Sequence, residues 1–331
     1  MKVNHFLAPL RAMGCFLAAV VASASVSAQV KWDLATGYPE SSFHVQNLRE
    51  FARDVDARTN GQVSITVHSG GTLVKAPDVR QAVIDGKVAA GEVFGPSLSA
   101  IHPVFSLDAI PFLATTYPAA RKLWQLARPL AEKKAAAQGF AMLYSVPWPP
   151  QGMFSAKEIR TVGDLQLMNM RENSPSVRKL AEALGAKPVL VETPDLVSAV
   201  QSEKVSLVFT SAAQGVDTKM WEKLPWFYQT NAWLPRNAVI INKKALDALA
   251  PEQRDALIRA AGAAEERGWQ LSEQNARDTL KSLKDNGAKV GLMDASLRSR
   301  LDKIGTSLSG DALKRADPEL LQVLSSYVSI R

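Results

Sequence analysis

The first half of the chain alternates between short runs with the pattern of strands and longer runs with helical spacing. Residues 31–36 and 63–67 predict strands, and the apolar positions of residues 43–55 recur as they do in an amphipathic helix. Residues 76–85 predict a second helix, and residues 88–94 a third strand. Strands that alternate with helices in this way indicate a mostly parallel sheet with right-handed crossovers.

A second alternation follows a proline-rich break. Residues 117–138 predict a helix and residues 141–146 a strand, and the prolines within residues 147–150 then impose an extended, stiff backbone. The later elements are predicted at residues 165–170, 174–184, 188–191, 194–202 and 205–209. We therefore expect two α/β units joined by a crossing at the prolines, with residues 237–242 returning the chain to the first unit.

These patterns predict an α/β fold of two lobes. Lobe I is expected to comprise residues 29–147 and 237–276, and lobe II residues 148–236 and 277–331. A helical pattern that begins at Pro251 continues for about 36 residues, which would span about 54 Å and bridge both lobes. Gly262 and Gly268 are the two places at which this helix could break instead.

The N-terminal residues predict export. Lys2 and Arg11 precede or flank a short apolar run, and Val26-Ser27-Ala28 is a small-residue cleavage site, so residues 1–28 are expected to be a signal peptide. The apolar run is too short to span a bilayer. Cys15, the sole cysteine, would leave with the signal, so the mature protein is expected to be periplasmic and free of disulfides.

Charge and motifs narrow the class of function. The formal net charge of +7 is spread along the chain without basic runs or interleaved aromatic residues, which argues against nucleic acid and suits an anionic small ligand. His44, His68 and His102 lack the spacing of metal ligands, and neither a nucleophile elbow nor a phosphate loop is present. We therefore expect a binding protein without a metal or cofactor, and no enzyme.

Arg171 is the strongest candidate for ligand binding. The apolar run 165–170 is predicted to deliver it at the carboxyl end of a strand, before the polar residues Glu172, Asn173 and Ser174. A guanidinium can hold a carboxylate through two parallel hydrogen bonds, which a lysine cannot do. The alternative is that Arg171 is solvated or pairs with the adjacent Glu172.

Several segments together resemble the extracytoplasmic solute receptors of TRAP transporters, the dicarboxylate-receptor superfamily. The resemblance covers nearly the whole mature chain. Its segments, in chain order, are YPESSFHVQNLREFARDV, TNGQVSITVHSGGTL, PFL at residues 111–113, GDLQLMNMR ending at Arg171, GAKPV at residues 185–189 and INKKALDAL before the long helix. It implies an architecture like that of periplasmic binding proteins, with a long helix spanning both lobes.

The resemblance also implies a site. Arg171 stands where the family binds the ligand carboxylate, whereas Gln151 occupies the place at which many relatives carry a second arginine. With one cationic anchor, the expected ligand is a monocarboxylate, such as a 2-oxo or aromatic acid, to which the Gln151 amide could donate a hydrogen bond. The remaining candidates are Thr210 and Phe94 by spacing, Trp148 and Trp233 as flat walls or as inter-lobe packing, and Tyr38, His44 and Asn237 as weaker contacts.

The implied function is capture of an organic acid between two closing lobes and its delivery to the integral-membrane permease subunits of a TRAP transporter. The alternative is a periplasmic adaptor that presents its ligand to a membrane sensor kinase. The sequence of the receptor does not distinguish the transport function from the sensory one.

Overall fold

The structure is a computed structural model that describes residue 1 and residues 29–192, 195–314 and 316–329. The predicted signal peptide, apart from Met1, therefore lies outside the described residues. Within the described part of the chain, no helix is long and apolar enough to cross a membrane.

The structure contains the alternating strands and helices that the sequence patterns predict, together with further elements. The strands are β1 (Val30–Ala35), β2 (Val63–His68), β3 (Ala90–Phe94), β4 (Phe140–Pro147), β5 (Gln151–Ser155), β6 (Asn169–Glu172), β7 (Lys187–Leu190), β8 (Leu207–Ser211), β9 (Trp226–Tyr228), β10 (Arg236–Asn242) and β11 (Lys289–Gly291). The helices are α1 (Phe43–Arg58), α2 (Val79–Ile84), α3 (Tyr117–Ala136), α4 (Pro175–Ala183), α5 (Leu196–Gln201), α6 (Ala212–Asp217), α7 (Lys243–Asp247), α8 (Pro251–Asp285), α9 (Ala295–Lys314) and α10 (Pro318–Val328).

The strands form two sheets, in agreement with the predicted two-lobe α/β fold. The first sheet has the order β2-β1-β3-β10-β4, and the second has the order β11-β9-β5-β8-β6-β7. In the first sheet β1 runs parallel to β2 and β3, while the returning strand β10 is antiparallel to both β3 and β4. In the second sheet β6 is parallel to β7 and β8, and β5 is antiparallel to β8 and β9.

Each sheet is covered by apolar side chains on both faces. Along β10, Ala238 and Ile240 pack into one cluster and Val239 and Ile241 into another, because successive side chains of a strand point to opposite faces. The second sheet repeats this arrangement with clusters of its own on its two faces. Each sheet thus has apolar clusters of its own.

Helix α8 connects the two halves without a break. It has 35 residues, about 52 Å, and packs on α1 and β4 of the first half and on α6 and β11 of the second. Gly262 and Gly268 both lie within it, so neither interrupts it. The prediction of a continuous bridging helix is confirmed.

The two glycines of α8 are expected to respond in opposite ways to alanine. A Cβ at Gly268 would lie 2.3 Å from Val146 Cγ2, whereas a Cβ at Gly262 would meet nothing within 4 Å. Gly268→Ala should therefore lower the free energy of unfolding by about 1–3 kcal/mol through overpacking. Gly262→Ala, the matched control, should raise it by about 0.5–1 kcal/mol through helix propensity. Chemical denaturation of both variants measures the difference, and equal effects would contradict this packing.

Two predicted details differ in the structure. Residues 165–170 were expected to be one strand, but Val162–Leu165 is a 3-10 helix, Leu167 has a φ of 61°, and the strand β6 begins at Asn169. The side chain of Asp164 accepts from the backbone N–H of Thr161 and so closes the short helix instead of allowing a strand. Arg171 consequently lies inside β6, not after it.

The second difference concerns the last helix. Residues 277–331 were expected to belong to lobe II, but α10 packs against α3, and its Leu320, Leu324 and Tyr327 join the apolar cluster of the first sheet. The Tyr327 hydroxyl donates to the Leu113 carbonyl at 3.1 Å. The rest of the division into lobes stays a prediction.

Candidate functional site

Two crossing segments run side by side between the sheets. One joins β4 to β5 and the other joins β9 to β10, and they are linked by backbone hydrogen bonds from Trp148 N to Pro235 O (2.8 Å) and from Gln151 N to Trp233 O (2.9 Å). The crossing predicted at the prolines is thus a two-stranded connection. It brings Trp233 next to Trp148 and Gln151, from which the sequence separates it by more than eighty residues.

A small cavity lies where this connection meets the ends of β6 and β8. Its volume is about 40 Å³. Its lining consists of Tyr38, Phe94, Trp148, Gln151, Arg171, Asn173, Thr210, Ser211, Gln214, Trp233 and Pro235. Seven of the nine sequence candidates are among them, and the other two, His44 and Asn237, lie behind the wall.

The cavity adjoins a larger cleft of about 640 Å³ between the two halves. Both are lined by Tyr38, Phe94 and Trp148 from the first half and the connection, and by Asn173 and Gln214 from the second. The inner cavity is the smaller of the two, and a ligand reaches it through the cleft that the two halves line.

Arg171 is buried in this cavity, with 3% of its surface exposed. Its Nε donates to the carbonyl of Val191 at 3.1 Å, which fixes the plane of the guanidinium. Burial lowers the pKa of Arg171 to about 10, while the negative charge of Glu192 opposes that shift. The side chain stays protonated at neutral pH, so a full positive charge is held in a buried site.

The alternative partner considered for Arg171, Glu172, has a different role. Since successive residues of a strand point to opposite faces, Glu172 in β6 faces away from the cavity. Its carboxylate is buried and pairs with Arg178 of α4. The local ion pair is therefore Glu172–Arg178.

Gln151 is oriented differently from what the sequence led us to expect. Its Nε2 donates to the carbonyl of Pro149 at 2.8 Å, so the amide N–H group expected to reach a ligand is engaged within the crossing segment. Its backbone is held as well, because its carbonyl accepts from Ala232 N and from Thr230 Oγ1. Gln151 is thus a rigid member of the cavity wall that presents the oxygen of its amide.

His44 and Asn237 belong to a buried network around Glu92. The carboxylate of Glu92 accepts from Thr36 Oγ1 (2.7 Å) and Asn237 Nδ2 (2.9 Å), and it lies 3.1 Å from His44 Nδ1. Burial opposes ionisation of Glu92, but the hydrogen bonds from His44, Thr36 and Asn237 outweigh it and lower the pKa of Glu92. This network therefore keeps a charged carboxylate directly behind the cavity.

Asn237 connects this network to the cavity wall through hydrogen bonds. Its Oδ1 accepts from Trp148 Nε1 (2.9 Å) and from the Tyr38 hydroxyl (3.2 Å). The rings of Tyr38 and Trp148 are packed together with their centroids 5.1 Å apart. His44 and Asn237, expected as direct contacts, therefore act by holding these rings in place.

Sequence reasoning missed Glu92, Asn173 and Gln214. Glu92 had a detectable signal, since it is the one acidic residue within the apolar run of residues 88–94. A charged residue is rarely buried without a partner. Asn173 directly follows β6 and Gln214 lies in the first turn of α6, where polar residues are common and carry no signal of their own.

The chain matches the model of a protein family and resembles several solved structures. Residues 34–304 match the bacterial extracellular solute-binding proteins of family 7. DctP6, an extracytoplasmic solute receptor of Bordetella pertussis binding pyroglutamic acid, is 41% identical, with a TM-score of 0.87 over 91% of this chain and 100% of the other. DctP7 of Bordetella pertussis, also an extracytoplasmic solute receptor binding pyroglutamic acid, is 34% identical, with a TM-score of 0.87 over 90% of this chain and 99% of the other.

A third solved structure is a TRAP solute-binding protein from a marine metagenome, specific for pyroglutamate. It is 32% identical to this chain, with a TM-score of 0.88 over 91% of this chain and 99% of the other. All three comparisons therefore extend over both halves of the fold.

Proposed function

Since the chain belongs to the bacterial extracellular solute-binding proteins of family 7, we propose that it is the TRAP-transporter receptor that captures pyroglutamate. The observation that carries the proposal is that three solved receptors, each more than 30% identical over nine-tenths of this chain, bind pyroglutamate. The expectation of a monocarboxylate agrees with this ligand, and pyroglutamate replaces the 2-oxo or aromatic acid as the specific choice.

The chemistry of the cavity supports a small ligand with one carboxylate. Arg171 is the cation that would pair with it, and Thr210 supplies a hydroxyl nearby on β8. Phe94, Trp148 and Trp233 offer apolar surface to the hydrocarbon part of a five-membered ring. Gln151 stands where a second arginine would favour a dicarboxylate, so the cavity matches a single negative charge.

The arrangement also supports capture by closure. Tyr38 and Phe94 reach the cavity from the first half, while Arg171 and Thr210 reach it from the second. A ligand that contacts both halves binds the closed form better than the open form and shifts the equilibrium toward closure. The closed receptor would then deliver pyroglutamate to the membrane permease subunits, without catalysis.

A periplasmic localisation is part of the same proposal. The family is extracytoplasmic, and residues 1–28 carry the features of a signal peptide that would export the chain to the periplasm. The lobes are proposed to comprise residues 29–147 and 237–276 on one side, and 148–236 and 277–317 on the other, with α10 docked back on the first.

Isothermal titration of the purified mature chain with pyroglutamate tests the proposal. We expect saturable one-to-one binding, and at a ligand concentration of 100 times Kd the native state should gain about 2.7 kcal/mol, visible as a rise in Tm. Succinate and galacturonate serve as controls for dicarboxylates and sugar acids. The proposal fails if pyroglutamate gives neither heat nor a shift in Tm.

A further inference from the structure

The amide of Gln151 can face the cavity in one orientation only. A carbonyl accepts hydrogen bonds and cannot donate, so the group that approaches Pro149 O at 2.8 Å must be the NH₂ group. Oε1 is therefore the atom turned toward the cavity that Gln151 lines. Among the described residues, no protein donor reaches this oxygen.

The polar groups of Trp148 and Tyr38, which also line the cavity, cannot take over this role. The indole N–H of Trp148 and the hydroxyl of Tyr38 both donate to Asn237 Oδ1, and Asn237 is itself fixed because its Nδ2 donates to the Glu92 carboxylate. These two rings therefore present their apolar faces to the cavity. Gln151 is 7% exposed and lines the cavity, so a ligand that covers its Oε1 must supply a donor or leave this acceptor unpaired, which is costly.

The sheet places this acceptor within reach of a ligand held by Arg171. Gln151 lies on β5 and Arg171 on β6, with β8 between them. Gln151 pairs with Ser211 of β8 and Met170 of β6 pairs with Leu207, so the backbones of Gln151 and Arg171 are about 14 Å apart. Both side chains line the same cavity. A ligand of one small ring can fill the space between the two side-chain ends, with its carboxylate at Arg171 and its ring edge at Gln151.

We infer that Gln151 selects ligands that carry an N–H group on the ring bearing the carboxylate. This inference rests on the proposed function and adds the chemical group that is recognised: the lactam N–H of pyroglutamate donates to Gln151 Oε1. A ring oxygen at the same position would turn lone pairs toward Oε1, leaving two acceptors opposed. The cavity thus distinguishes a lactam from a lactone of the same shape.

The test compares L-pyroglutamate with (S)-5-oxotetrahydrofuran-2-carboxylate, the lactone in which oxygen replaces the ring N–H. Titration calorimetry of the unaltered mature chain should give a Kd about 10- to 100-fold higher for the lactone, since it leaves a buried acceptor unsatisfied. Equal affinity for both compounds would overturn the role of Gln151 and leave the proposed function standing. Absence of binding by both would overturn the proposed function, and the inference with it.

A variant separates the role of Gln151 from other sources of discrimination. Gln151→Met keeps the length of the side chain but removes the acceptor, so it should weaken pyroglutamate binding about 10- to 100-fold, tighten lactone binding, and thereby abolish the discrimination between the two ligands. Gln138→Met, at an exposed glutamine that does not line the cavity, is the matched control and should alter neither affinity. Unchanged discrimination between the two ligands in folded Gln151→Met would contradict the inference.

Discussion

Replacing Arg171 by alanine is expected to weaken pyroglutamate binding by about 2–5 kcal/mol, which corresponds to roughly 30- to 5,000-fold in Kd. The guanidinium is buried, positively charged at neutral pH and aligned by its hydrogen bond to Val191 O. Its loss removes the charge that pairs with the ligand carboxylate in a buried site. Titration calorimetry measures the change in affinity.

Two controls define what this result means. Arg171→Lys keeps the charge but loses the planar pair of donors, so its Kd should lie between those of the unaltered chain and Arg171→Ala. Arg160→Ala removes an exposed arginine of the same half, paired with Glu158, and should leave Kd unchanged. If Arg171→Ala binds pyroglutamate with unaltered affinity while remaining folded, Arg171 is not the anchor.

The second large effect concerns stability. Arg236→Ala is expected to lower the free energy of unfolding by about 3–5 kcal/mol, because it leaves the Asp108 carboxylate buried without its cation. Asp108 Oδ2 lies 3.0 Å from Arg236 Nε and 2.7 Å from Arg236 N, and both side chains are almost fully buried. The guanidinium also stacks on Trp124, 4.2 Å from the ring centroid. Chemical denaturation at pH 7 measures the loss.

The pH dependence of this variant has a definite sign. Burial already raises the pKa of Asp108 above its ordinary value, against the attraction of Arg236. Without Arg236 that pKa rises further, and the folded form then binds a proton more readily than the unfolded form. The stability deficit of Arg236→Ala should therefore be largest above the folded pKa of Asp108 and should shrink as the pH falls toward the ordinary pKa of aspartate.

Matched variants test the same explanation. Arg254→Ala breaks an exposed pair with Asp247 and should change the free energy of unfolding by less than about 1 kcal/mol. The double variant Asp108→Leu with Arg236→Met removes both charges and should recover part of the lost stability. A loss in Arg236→Ala no greater than in Arg254→Ala would mean that the buried pair contributes little.

Elements with strong periodicity were predictable from the sequence. The apolar spacing of α1 and the unbroken pattern of α8 identified both helices, and the alternation of strands and helices identified two α/β units. Such patterns suffice because a helix or strand must bury one face regardless of its partner. The apolar run of residues 165–170 was misleading, because a local capping interaction of Asp164 determines its backbone.

The packing of the last helix was not predictable in the same way. The apolar face of α10 shows that it must cover something, but the pattern does not specify which lobe. The cluster around α3 provides that surface, and the choice is made by shape in three dimensions. The places of Asn237 and His44 were not predictable either, since residues directly behind a cavity wall carry no sequence signal that separates them from residues that line the cavity.

The sequence by itself determined the architecture and the family and predicted Arg171 as the anchor, because periodicity, motif order and the chemistry of a guanidinium are properties of residue types and their spacing. Only the tertiary structure decided which atoms face the cavity. The N–H groups of Gln151 and Trp148 and the O–H group of Tyr38 donate to Pro149 and Asn237, partners given by the path of the chain in space. The direction in which a hydrogen-bonding group points is set by its neighbours in space, and the order of residues along the chain does not reveal those neighbours.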